Sequence, residues 1–147
     1  MEHLSSVFLR LALGMSFLSA VADRFGYWGV FGQRNVAWGD FARFTAYTAR
    51  LNWFMPSATI PVLAWASTCA EILLGLALIL GAFTRIAALL SGLLLLSFAI
   101  CMTVALGLEA PFSLSVFSAS AGSFLLATCS EYPWSVDSFR RTRHRGV

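Results

Sequence analysis

Polar and apolar positions separate over long stretches of this chain. Val62 to Phe83 holds a single charge, Glu71; Ile86 to Leu108 and Phe112 to Ser130 hold none. An earlier run, Ser5 to Ala22, also holds one, Arg10. Each of the later runs is about 20 residues and the first about 18, long enough at 1.5 Å per residue to cross a hydrocarbon layer roughly 30 Å thick. The pattern predicts an all-α integral membrane four-helix bundle, a single membrane domain with spans at 5–22, 62–83, 86–108 and 112–130. Between them lie a 23–61 outer loop and, at the end, a 131–147 tail. A soluble bundle would keep a polar stripe on each helix, and Ile86 to Leu108 has none. The opening MEHLSS carries no Lys or Arg, so the first run reads as a mature helix and not as a signal peptide.

The loop has a pattern of its own. DRFGYWGVFGQRNVAWG contains four glycines and predicts irregular turns. DFARFTAYTARLNWFMP predicts a short amphipathic helix with Asp40 as N-cap, ending before Pro56. Phe41, Phe44, Tyr47 and Leu51 recur there at helical spacing, with Arg43 and Arg50 on another face. Trp38, Trp53 and Phe54 suit the membrane interface. Such a helix caps the bundle; a lid gating a substrate is the alternative. The last run is dense in Ser, Ala and Gly, which lets helices approach closely, and GLEAP makes the third and fourth spans antiparallel neighbours.

Composition agrees with the membrane reading: 59% hydrophobic, 12% charged and a mean hydropathy of +0.77, against roughly 25% charge in soluble domains. All ten basic residues are arginine, four of them (Arg140, Arg141, Arg143, Arg145) in the tail. A basic tail beside a membrane predicts a cytoplasmic anchor rather than a nucleic-acid arm, with both termini and the Thr84–Arg85 turn on the cytoplasmic side. Cys69, Cys101 and Cys129 fall on three spans without a CxxC, so they are expected as buried thiols, with a Cys69–Cys101 disulfide open as an alternative.

Two charges inside spans require partners. The face around Glu71 holds Ala64, Ser67, Thr68, Gly75, Leu78 and Ala82; the face of Arg10 holds Ser6, Gly14, Phe17, Val21 and Arg24. Arg10 and Glu71 differ in depth by roughly 12 Å and their side chains lean apart. Arg24 ends the first span and leans inward, roughly 14 Å above Glu71, which leans toward it. Glu71 is therefore expected to pair with Arg24, with Asp23 and Tyr27 nearby. Arg10 is expected to snorkel to lipid phosphates or to bond near the Arg85 turn. Whether Glu71 is a structural ion pair or protonated carboxyl, or handles a quinone, small molecule or proton, stays open. His3 and His144 lie near the ends, leaving no histidine within the spans for a metal or haem.

The stretches LRLALGMSFLSAVADRFG and AEILLGLALILGAFTRIAALLSGLLLL resemble the DoxX family of small four-helix bacterial membrane proteins, through Arg10, Gly14, Glu71, Gly75, Gly81, Thr84 and Arg85. The similarity runs from about Leu9 to Ala127. It implies a bacterial inner-membrane bundle with a redox connection, since that family includes relatives of the membrane subunit of thiosulfate:quinone oxidoreductase and proteins of oxidative-stress defence complexes. The expectation is thus a non-catalytic subunit of a redox complex, with a pocket near Arg24 and Glu71 where a quinone head could sit. Its partners would be the lipid bilayer, a soluble redox protein and further copies of itself in a homo-oligomer. The alternative is a scaffold or assembly factor docking a soluble partner; a transporter is disfavoured by the lack of discontinuous helices or a repeated half.

Overall fold

The computed structural model describes residues 2–139; the arginine-rich tail lies outside them. Among the described residues the fold is entirely helical: α1 (Glu2–Arg24), α2 (Phe41–Leu51), a 3-10 turn (Ser57–Thr59), α3 (Ile60–Leu80), α4 (Thr84–Leu106), α5 (Glu109–Ser113) and α6 (Val116–Thr128). Three helices are long and apolar enough to cross a membrane: α1, α3 with the turn before it, and α4. The fourth apolar run is not one helix. It breaks at Leu114 and Ser115, where Ser115 adopts φ 55°, and leaves α6 with 13 residues, about 20 Å of rise. A run of small and hydroxylated residues lacks the uniform helix preference that would carry it through.

The ends of α3 and α4 are set by neighbours. Gly81 ends α3 in the left-handed conformation, φ 67°, with its N–H donating to Ala77 O. This stops the helix at Leu80, short of the expected Phe83. The segment after α6 folds under this corner, so that a Cβ on Gly81 would collide with Ser135. From the same segment the Asp137 carboxylate accepts the backbone N–H of Phe83 and Thr84, at 2.9 and 2.7 Å, and the Thr84 hydroxyl at 2.8 Å. It caps the start of α4 from 53 positions away in sequence.

Packing joins α1 to α3 and α4 to α6 as two close pairs. In the first, Gly14 and Gly75 face each other: a Cβ on Gly14 would lie 2.8 Å from Gly75 O, and one on Gly75 3.1 Å from Gly14 O. In the second, Ser120 Oγ donates to Gly92 O at 2.8 Å. Leu13, Phe17, Leu78, Ala88 and Leu126 form the core between the pairs. Leu73, Leu93, Ile100 and Val104 point outward, as they would toward lipid. All three thiols are free, as expected, but they are not buried: Cys101 and Cys129 are half-buried and Cys69 is exposed. Cys69 directly follows Thr68 on α3, and one residue of helix turns it about 100° away from the packed face.

Helix α2 lies across the loop end of the bundle. Asp40 is its N-cap, accepting the Arg43 N–H at 2.8 Å, and Phe44, Thr48 and Leu51 are its buried face. The Arg43 backbone N–H, followed by its guanidinium, holds the Asp40 carboxyl below its ordinary range. A depressed folded-state pKa makes the cap's contribution present above the ordinary carboxylate range and lost as pH falls through the folded value. Protection of the Arg43 amide, measured by hydrogen exchange relative to the intrinsic rate at each pH, should therefore fall in acid, and Asp40→Ala should show the low protection already at neutral pH. At the close helix contact, Gly14→Val should lower stability by about 1–3 kcal/mol through overpacking, read as earlier thermal unfolding in detergent. Gly32→Ala, which has open space around it but sits at φ 95°, should strain the loop locally and leave the α1–α3 contact intact.

Candidate functional site

The last turn of α1 ends on Asp23 and Arg24, two buried charges that face different partners. Arg24 leans into the bundle, where its Nη2 donates to both carboxylate oxygens of Glu71, at 2.6 and 2.8 Å. Its Nη1 donates to Thr68 Oγ1 at 2.8 Å, and that hydroxyl donates onward to Ala64 O. Thr68 and Glu71 are three apart on α3 and so share a face. Both side chains of the pair are almost inaccessible, 4% for Arg24 and 2% for Glu71. Above them the guanidinium lies 3.7 Å from the centroid of Phe44 and 5.5 Å from that of Trp38, cation–π contacts that hold α2 to the ion pair.

Asp23 acts on the loop. Its Oδ2 accepts the N–H groups of Ala37 and Trp38, at 3.1 and 2.9 Å, placing the Trp38 ring edge-on to Phe44 at 5.2 Å. Tyr27, expected beside the pair, is 81% exposed, because the turn at Gly26 carries it outward; its neighbour Trp28 folds back to donate to Ser19 O at 3.0 Å. Arg10 is far from Glu71, at the other end of the bundle. It does not snorkel: it is 2% exposed and donates to Trp134 O at 2.8 Å and Pro133 O at 3.4 Å. Of the two expected roles, the snorkelling to lipid phosphates is replaced by a partnered one beside the Gly81 corner, with the chain after α6 supplying the carbonyls.

Beneath α2 and beside the pair lies a cavity of about 650 Å³. Arg24, Glu71, Tyr47, Asn52 and Cys101 give it a polar end, and Leu13, Phe17, Leu94, Leu95 and Phe98 line its apolar depth. Asn52 connects α2 to α4: its side chain donates to Thr48 O at 3.0 Å, and the Cys101 thiol lies 3.7 Å from its Oδ1. Ser16 and Leu114, both exposed, are on the wall, so the cavity opens sideways. Phe44, Asn52 and Cys101 were not legible as site residues. Phe44 had signalled only an apolar helix face, and the others lie on elements whose crossing no spacing reveals. No group of three His, Cys, Asp or Glu side chains that could hold a metal comes together among the described residues.

Comparison with known proteins gives one family. Residues 1–115 match the family model described as methylamine utilisation protein MauE, a membrane protein family. This overturns the resemblance to DoxX: the residues behind it, Gly14, Gly75, Gly81 and the buried charges, serve helix packing and helix ends, needs that unrelated membrane bundles share. No curated protein and no solved structure matches the chain. The apolar helices and the family together make it a multi-pass membrane protein.

Removing one partner of a buried pair strands the other charge. Arg24→Ala and Glu71→Ala should each lower stability by about 3–5 kcal/mol, while the double change Arg24→Met with Glu71→Leu should restore most of that loss. Thermal unfolding of the four proteins in one detergent checks this; single variants as stable as the parent would show that the pair holds nothing together.

Proposed function

The chain belongs to the MauE family, and from that premise we propose that it is a membrane-embedded accessory protein of a redox system, holding a lipid-soluble small molecule beneath α2. Using methylamine requires oxidation of its carbon, so a protein of methylamine utilisation serves a system that must pass electrons on. The observation that carries the reading is the cavity itself: apolar through most of its depth, polar at the Arg24–Glu71 end, and open toward the side of the bundle. A molecule dissolved in the bilayer reaches such a cavity without crossing water. The quinone expected from the sequence is one molecule of that kind.

In this reading the chain is a non-catalytic subunit. Helix α6 and the residues after it complete a fourth pass, so that both ends share one side, and the arginine-rich tail favours the cytoplasm of a bacterial inner membrane for that side. The loop with α2 then lies on the outer face, where Tyr27, Trp28, Phe31 and Trp53 are exposed and suit the interface or a soluble redox partner. That exposed aromatic surface also favours the second reading, a scaffold that docks a partner and holds no ligand.

Native mass spectrometry of protein extracted gently from membranes separates the two. The parent should carry an apolar adduct, and Leu95→Trp, which fills the cavity, should carry none while unfolding at a similar temperature. A parent with no adduct would favour the scaffold.

A further inference from the structure

We infer that the cavity is built for a single-chain amphiphile with an uncharged head that accepts a hydrogen bond, seated head-first against Arg24. The inference rests on the ligand-holding reading above and specifies its chemistry. Three features lead to it.

Charge comes first. Arg24 and Glu71 are the charged groups on the cavity wall, and they already neutralise each other through two hydrogen bonds. A carboxylate or phosphate head would set a second negative charge beside Glu71 in a site removed from water, where like charges repel strongly. An ammonium head would meet the guanidinium in the same way. An uncharged head meets neither penalty.

Next is the donor left over. Arg24 Nε is buried and has no hydrogen-bond partner among the described residues, while Nη2 makes two bonds to Glu71 and Nη1 makes one to Thr68. Buried guanidinium N–H groups are costly to leave unmade. A single acceptor oxygen of a ketone, ester or quinone would satisfy it once the Phe44 ring that covers the guanidinium moves aside, and Phe44 and Tyr47 both lie on the cavity wall.

Shape completes the argument. The apolar lining continues inward from Arg24 to Leu13 on α1, eleven residues or roughly 16 Å along the helix. The walls are formed by Phe17, Leu94 and Leu95. That length suits one extended hydrocarbon chain, and with about 650 Å³ in all it leaves little space for the two chains of a phospholipid.

Cys101 reports occupancy, because its half-buried thiol lies on the cavity wall while Cys69 is exposed elsewhere on the bundle. The purified protein, stripped of adducts, is alkylated with N-ethylmaleimide, and each cysteine peptide is followed by mass spectrometry. A long-chain methyl ketone should slow labelling of Cys101 about tenfold and leave Cys69 unchanged. The fatty acid and the primary amine of the same chain length, ionised at neutral pH, should protect at least tenfold less well. A fully substituted benzoquinone with a decyl chain, and monodecanoyl glycerol, distinguish the sources: protection by the benzoquinone alone assigns a quinone, and protection by both assigns a neutral lipid head in general. Arg24→Lys keeps the ion pair but removes Nε, and should weaken ketone protection roughly fivefold, the worth of about one hydrogen bond. Leu95→Trp should abolish protection even if the lysine variant does not fold.

Equal protection by the fatty acid and the ketone would overturn the uncharged head and leave the ligand-holding reading standing. If no probe protects Cys101 and the native protein also carries no adduct, both fall; if it carries an adduct, only the head-group inference does.

Discussion

The Arg24–Glu71 pair is the interaction on which the rest of the loop end depends. Two opposite charges, each almost fully buried, have no water to fall back on, so each is tolerable only while the other stays in place. That requirement fixes how α1 and α3 sit along their common axis. The Gly14–Gly75 approach lower down is the packing consequence, since backbones that close must meet where neither has a side chain. Thr68 fixes the guanidinium sideways, leaving its remaining edge directed elsewhere.

From this pair the order spreads to the loop. Phe44 and Trp38 rest on the guanidinium, and Asp23, the neighbour of Arg24, holds the backbone that carries Trp38. The same two residues thus tie α1 both to α3 and to the segment that follows it. Helix α2 is held above the bundle without filling it, and the space left below is the cavity. A small helix that would be marginal alone in water is stabilised here by contacts with a charge that itself needed covering.

The other end follows a different design. Arg10 and the backbone at the start of α4 are satisfied by the segment after α6, through the carbonyls of Pro133 and Trp134 and the carboxylate of Asp137. This strap closes the bundle where the two helix pairs meet, and it explains why Gly81 has no room for a side chain. The bundle is therefore tied by ionic and aromatic contacts at one end and by a length of its own chain at the other.

Periodicity along the sequence determines much of this by itself. The buried stripe of α1, Ser6, Arg10, Gly14, Phe17, Val21 and Arg24, and that of α3, from Ala64 through Glu71 to Leu78, are the faces that a 100° rotation groups together, because in a membrane only one side of a helix can accept small and polar residues. Depth along those helices, a matter of counting, favoured Arg24 over Arg10 as the neighbour of Glu71. What counting could not supply was anything that depends on two distant segments meeting. The break at Ser115, the Asp137 cap, the carbonyls around Arg10, the outward Tyr27 and the seating of Phe44 on Arg24 all arise from such meetings. Local spacing records which side of a helix faces inward; only the tertiary structure decides what it faces, because the satisfaction of a buried polar group is a property of the pair and not of either residue.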